Sequence, residues 1–583
     1  MDSVFDIPLL LDEISQYLSQ TDLQACVRVS KIWSMRFIPI LWRTLDLKNC
    51  GQTHRLFNFN WKHTHIRTIK SGSLWFFEAL AGLHRYKHPF HFHSPNLRSI
   101  KWTYYFPDKH KPGSDDLVLD FFKAHSTLQD ISLRFNIITP ALIATLDKRH
   151  LPSLKSFSFI GGKKIENDTT VQQLIHACAW LETLKIEVSH EEDIPKKQNA
   201  NLYQKRKTIM ESMPTTRLRK LSIDLYCPFQ EAVTLVPLLR KSPLLQDLRI
   251  FSSPGNNTSV SIAAALREEG CCPELKTLTI KQEGITDNEL AELVNACTSS
   301  LCPSKSYESS LTRATFDKVH RDFKSLTVIS KACGPLTACA LTQDCAQSLV
   351  ALDIGQYKLI YLGNFITLVS NLPGLQKLFV GRIYFVSLAQ GGKNSLVKAL
   401  DTPWVCRDLK CLGFRLSWSN VKELFLEDDS DSEGNGFVQY AATKSTGGSD
   451  TDDVTDLADF KSRCLDCFWD RVAELGNLRY LWYESNEFPL LPRPMESVFY
   501  LDRLRSLKKI QTLHIDRDIL GVKEAAWFLQ YWPDLSRITG LKREHAEMCH
   551  CRSRSLIWIC TRPLEDGEGM TELKTGRPWI IMD

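Results

Sequence analysis

No stretch of this chain reaches the ~18 consecutive apolar residues that a membrane-spanning helix requires. The first residues carry Asp2 and Asp6 and only a short apolar run, so neither a membrane span nor a secretory signal is expected. Cysteine is too sparse for a disulfide-stapled fold: 18 in 583 residues, far below the ~8–10% of such scaffolds. Without a secretion signal these thiols are expected to be reduced, in the cytoplasm or nucleus. Neither sign of charge dominates, since 72 basic residues face 67 acidic ones.

Motifs that carry chemistry are missing as well. There is no Gly-x-x-x-x-Gly-Lys-Ser/Thr; Gly391-Gly392-Lys393-Asn394 lacks both the earlier glycine and the hydroxyl. Neither Gly-x-Ser-x-Gly nor His-Glu-x-x-His occurs. No catalytic residue, cofactor or metal is therefore expected. Cys464-x-x-Cys467 lacks the second pair of a metal site, and on a helix it would turn one thiol toward the core. His545 and Cys549 would share a helical face, beside His550 and Cys551, but this spacing fits no familiar metal set. His84, His88, His91 and His93 read as solvated loop residues.

What the chain does hold is a recurrent triplet, Leu-x-x-Leu-x-(Leu/Ile/Phe/Val). It appears as Leu128/Ile131/Leu133, Leu154/Phe157/Phe159, Leu181/Leu184/Ile186, Leu218/Leu221/Ile223, Leu245/Leu248/Ile250 and Leu275/Leu278/Ile280. Leu349/Leu352/Ile354, Leu375/Leu378/Val380, Leu409/Leu412/Phe414, Leu478/Leu481/Tyr483 and Ile510/Leu513/Ile515 follow, with weaker copies at Ile66/Ile69 and Leu97/Ile100/Trp102. A period near 27 residues predicts an α/β fold: a curved leucine-rich repeat solenoid over 48–540, parallel strands inside and helices outside, with irregular repeats. Asp287 is expected to cap one such helix, and Cys178 and Cys297 to be small buried fillers. Between 301 and 345 two strands compete, Leu311/Ala314/Phe316 and Leu336/Cys339/Leu341.

From Leu409 to Leu478 the interval is 69 residues, about 40 more than a repeat needs. The surplus is the segment 427–459, where ten acidic residues stand against Lys444. It is read as a disordered insertion of net charge −9, leaving +14 on the rest of the chain. Ser430 and Ser432, set among acids, are candidate phosphorylation sites. The +14 is spread over some 550 residues with no evident stripe of bases and aromatics, so nucleic acid is not an expected partner. Residues 541–583 are read as a C-terminal cap or tail.

The N-terminus predicts three short helices. Pro8 suits a first helical turn. Ile7, Leu11, Ile14 and Leu18 form an apolar stripe. Thr21 with Gln24 has a capping-box pattern, Ser30 can cap a third helix carrying Trp33, and Pro39 interrupts it. The ordered series Ile7-Pro8, Tyr17-Leu18, Asp22-Leu23, Val27-x-Val29-Ser30-Lys31-x-Trp33, Leu41-Trp42 resembles an F-box over residues 1–47. Together with the repeats, the chain resembles fungal-type F-box proteins with leucine-rich repeats. Where that family often has an acid two positions after the proline, this chain has Leu10, with Asp12 and Glu13 following.

The resemblance implies a substrate-recognition subunit of a Skp–cullin–F-box ubiquitin ligase, not an enzyme in itself. A Skp-type adaptor, and through it a cullin, would bind Pro8, Leu11, Leu18, Leu23, Val27, Val29 and Trp33, with Pro8 and Leu23 foremost. A protein target would lie on the side chains that flank the buried strand residues. These are Arg134, Lys185, Glu187, Asp224, Arg249, Phe251, Lys281, Phe379, Arg415, Tyr480, Trp482, Glu484, His514 and Asp516. Phe251, Phe379, Tyr480 and Trp482 are expected to be exposed. The alternative reading is a repeat-based interaction scaffold with no ligase link.

Overall fold

The computed structural model describes residues 8–46, 64–70, 94–102, 114–135, 138–161, 169–188, 200–225, 228–252, 258–268, 271–282, 285–298, 323–329, 332–354, 359–385, 398–418, 452–484, 499–517, 522–541 and 581–582. The chain divides into two compact units, Met1–Leu275 and Lys276–Asp583.

The first unit opens with three helices, α1 (Pro8–Tyr17), α2 (Gln20–Val29) and α3 (Lys31–Leu41). The second of these starts two residues earlier than Thr21 suggested. Ser19, in extended conformation, accepts the Asp22 amide, while the Asp22 carboxylate reaches back to the Ser19 amide at 2.9 Å. Ser19-x-x-Asp22 is thus the capping box, with the shorter acid in place of the usual glutamate. Ser30 caps α3 through the Trp33 amide, as expected. Pro39 does not end α3, which runs on to Leu41 with the Trp42 amide bonded to the Ile38 carbonyl.

Eight strands follow in this unit: β1 (Thr44–Asp46), β2 (Thr68–Lys70), β3 (Ser99–Lys101), β4 (Asp130–Phe135), β5 (Ser156–Gly161), β6 (Thr183–Val188), β7 (Lys220–Leu225) and β8 (Asp247–Ser252). Each pairs in parallel with the next. Helices lie between them: α4 (Ser114–Ala124), α5 (Pro140–Thr145), α6 (Thr170–Ala177), α7 (Ala200–Glu211), α8 (Pro228–Arg240) and α9 (Thr258–Arg267). The register sets Leu45, Ile69, Ile100, Ile131, Phe157, Leu184, Leu221 and Leu248 in one row, and all are buried. This is the period-2 face that the triplets encode.

The second unit is built in the same way. Its strands are β9 (Thr277–Gln282), β10 (Ser325–Ile329), β11 (Ala332–Cys333), β12 (Ala351–Asp353), β13 (Leu359–Tyr361), β14 (Lys377–Tyr384), β15 (Cys411–Ser417), β16 (Tyr480–Glu484), β17 (Thr512–Arg517), β18 (Arg537–Leu541) and β19 (Ile581–Met582). All the pairings are parallel, and β11 and β13 form a short side run that joins the far half of β14. Its helices are α10 (Asp287–Thr298), α11 (Pro335–Asp344), α12 (Leu362–Asn371), α13 (Asp452–Ala473), α14 (Phe499–Arg503) and α15 (Val522–Tyr531). Rings centred on Phe468 fill the layer between sheet and helices, with Trp404, Phe385, Phe414 and Trp469 edge-to-face and Phe365 tilted against it, at 5.2–6.0 Å.

Several expectations change here. The described strand in the ambiguous stretch is one the triplets did not offer: Leu326 is its buried residue, with Phe323 in the place of the first leucine. Leu336, Cys339 and Leu341 lie on α11, and Leu311, Ala314 and Phe316 lie outside the described residues. Of the acidic insertion, 427–451 lies outside the described residues, but the rest is not an irregular loop. It is helical from Asp452. The tail returns to the sheet, since Ile581 pairs with Arg537. Asp287 does not cap its own helix: Thr286 and Glu289 form that capping box at 2.8 and 3.3 Å. The Asp287 carboxylate instead accepts the amides of Gly334, Leu336 and Thr337, at the start of α11 in the next layer.

One backbone device recurs. The carbonyl of the residue just before a strand accepts two consecutive amides from the next layer. Arg98 accepts from Gln129 and Asp130, Lys155 from Glu182 and Thr183, Lys410 from Arg479 and Tyr480, Arg479 from Gln511 and Thr512. Cys178 and Cys297 are fully buried, as expected, and Cys178, Cys272 and Cys406 each sit three residues before a strand-entry leucine whose amide their carbonyl accepts. Burial pushes the Cys178 thiol far up and the Cys406 thiol to about 11, so they act as apolar fillers. Cys464 is buried and Cys467 half-buried on one helix.

Candidate docking surfaces on the helices and the open sheet faces

The N-terminal helices build a core too small for a free-standing domain. Leu23 and Phe37 are its buried residues, with Leu18, Cys26, Val27, Trp33, Ile40 and Leu41 partly buried against them. Leu23, proposed from sequence as a foremost contact, is therefore 9% exposed and spent on internal packing. Leu18, Val27 and Trp33 mostly share that fate. The side chains of Pro8 and Leu11 lie outside the described ones. Among the five described, Val29 is the one that is fully available, at 63% exposed. Sequence reasoning missed its companions: Tyr17, Ile32 and Met35 are 81%, 66% and 70% exposed. Ile32 and Met35 are one helical turn apart, on the face of α3 turned away from Phe37.

On the sheets, the side chains flanking the buried row fall where the triplets placed them, on one open face per unit. In the first unit, Lys185 pairs with Glu187 at 2.6 Å and Arg249 with Asp247 at 3.1 Å. Arg134, Asp224 and Phe251 are half-buried, and the intervening Ser132, Ser158 and Ser222 leave a shallow polar surface.

The open face of the second unit is different. Asp353, Phe379, Gly413, Trp482, His514 and Thr539 form one row across five strand pairings. Without a side chain at Gly413, the Phe379 ring settles over its backbone and reaches Tyr480 at 5.8 Å. Trp482 closes from the other side and stacks on His514 at 5.7 Å, whose Nδ1 lies 2.8 Å from the Thr539 hydroxyl. The aromatic side chains expected to stand in solvent thus cover one another. Phe379 and Tyr480 are half-buried, and Trp482 is only 7% exposed. Further along the strands, Arg415 pairs with Glu484 and Arg382 bonds the Tyr384 hydroxyl at 2.9 Å. Lys281 is exposed on β9; the side chain of Asp516 lies outside the described ones, as do His545, Cys549, His550, Cys551 and the histidines at 84–93.

At the strand-entry edge of this face, the first register row holds Lys377, Cys411, Tyr480, Thr512 and Arg537. Burial raises the Cys411 thiol, while Lys377, Lys410 and Arg479 pull it the other way. Burial likewise raises the Tyr480 phenol, with Arg537 opposing.

No family model matches this chain and no curated protein matches it. No described helix is long and apolar enough to cross a membrane.

Proposed function

We propose that this protein is the substrate-recognition subunit of a Skp–cullin–F-box ubiquitin ligase, acting in the cytoplasm or nucleus. The observation that carries the reading is a three-helix module that keeps Val29, Ile32 and Met35 outside its own core, joined to parallel layers whose sheet faces are left open. Large apolar side chains held out of a core that small are what a helical docking partner would cover. The adaptor-binding set then becomes Val29, Ile32, Met35 and Tyr17, with Leu23 and Phe37 holding the module in shape. The open faces would hold the target near the ligase, so that the contribution is proximity rather than bond chemistry.

The test is co-precipitation of the full chain with a purified Skp-type adaptor. The intact chain should bind, and Val29→Lys, Ile32→Lys and Met35→Lys combined should not bind while melting at the same temperature. An intact chain that ignores the adaptor would reject the ligase reading in favour of a scaffold of repeats.

A further inference from the structure

The second unit's open face gathers three cations at one place with no acid beside them among the described residues. Arg415 has Glu484, and Arg382 has the Tyr384 hydroxyl. Among the described residues Lys377, Lys410 and Arg479 have no carboxylate within ion-pair distance; the Lys410 ammonium donates to Gln376 at 2.9 Å. Yet these three stand on consecutive strands. Lys377 is directly opposite Cys411 in the register, Lys410 immediately precedes Cys411, and Arg479 immediately precedes Tyr480, the next residue in the same row. All three act electrostatically on the one Cys411 thiol. Three cations gathered at one point repel one another, and a bound anion would relieve that.

The surroundings narrow the anion. Cys411 and Tyr480, both half-buried, form the floor between the cations, and the Phe379 ring leans on Tyr480. Strands are spaced about 4.8 Å apart, so β14 to β18, ending at Arg537, span roughly 19 Å, the length of about six extended residues. A nucleic acid would need free ring faces on which to stack its bases. Here Phe379, Trp482 and His514 are already stacked on Gly413 and on each other.

We propose that the strand-entry edge of β14–β16 binds an extended acidic segment of a protein, with its carboxylates at Lys377, Lys410 and Arg479 and its backbone over Cys411 and Tyr480. The inference rests on the target-binding reading above and names the class of target it would take: polypeptides with a run of Asp and Glu.

The test uses the full chain and a fluorescein-labelled peptide of eight glutamates, with an all-glutamine peptide and an oligothymidine of equal charge as the other probes, read by fluorescence anisotropy. The acidic peptide should bind and weaken as salt rises, and the glutamine peptide should not bind. Lys377→Gln, Lys410→Gln and Arg479→Gln combined should weaken binding roughly tenfold, with melting unchanged. The same substitutions at Arg67, Arg98 and Lys155 in the first unit should leave it intact. Equal loss from either triple, or tighter binding of the oligothymidine, overturns the proposal. Because no adaptor is present in the assay, the outcome stands apart from whether the N-terminal helices bind one.

Discussion

The ring of Phe379 occupies the space that a side chain at Gly413 would need, while Trp482 presses in from the next strand to within 3.3 Å of the same point. Gly413 is therefore fixed by its neighbours rather than by its backbone angles. Gly413→Ala should cost about 1–3 kcal/mol, the usual penalty for overpacking a filled site. Urea denaturation would measure it, and adding Phe379→Ala should return part of the loss. Equal stability of Gly413→Ala and the parent would contradict the stacking described.

Asp287 should matter more to the layer after its own. Its carboxylate serves three amides at the start of α11 and accepts the Thr337 hydroxyl. Asp287→Ala leaves those donors unmet, at a cost of about 2 kcal/mol. Hydrogen exchange should show the loss concentrated in 335–344 rather than in 287–298, because Thr286 and Glu289 still cap the latter.

Leu23 and Val29 share a helix but should behave as opposites. Leu23→Ala opens a hole beside Phe37 and should cost about 2–5 kcal/mol, enough to melt so small a core. Val29→Lys should change stability by no more than ~0.5 kcal/mol. Exchange rates of the amides in 8–46 separate the two, and comparable protection in both variants would show that Leu23 is not a core residue.

A pH dependence follows from Arg240 and Glu268, which form a two-pronged pair between α8 and the end of α9. The hydrogen bond from Arg240 holds the Glu268 carboxyl below its ordinary 4.5. A depressed acid stabilises the fold above the unfolded value and loses that contribution as pH falls through the folded one. Both groups are about half exposed, so the pair is worth no more than ~1 kcal/mol. Glu268→Gln should lower the urea midpoint slightly at pH 7 and leave it unchanged near pH 3.

The strands were legible because a period-2 apolar face and a return every 27 or so residues leave few other arrangements. The losses have particular causes. Trp42-x-x-Leu45, Phe323-x-x-Leu326 and Leu535-x-x-Ile538 are the same unit with the entry or strand leucine exchanged, so a search for leucine passed over β1, β10 and β18. The Asp287 contact joins residues some 50 apart and follows from no local pattern. Exposure was misjudged wherever one side chain answers another across strands. Trp482 alternates outward, as its place in the strand requires, and is buried only because His514 and the bare Gly413 flank it. The three cations around Cys411 come from strands 34 and 69 residues apart in sequence, so no composition window brings them together.

The carbonyls that each take two amides from the following layer hold the stack at one backbone position per turn of chain. Between Lys155 and Glu182 the polypeptide travels 27 residues, and between Lys410 and Arg479 it travels 69, yet both junctions close with the same pair of bonds, at 2.8–3.0 Å. Pitch is thus decoupled from length. The chain is anchored along one seam whatever the length between junctions, so insertions within 427–451 should move none of the described strands, whereas deletion of Lys410, which supplies one of these carbonyls, should unseat every layer that follows.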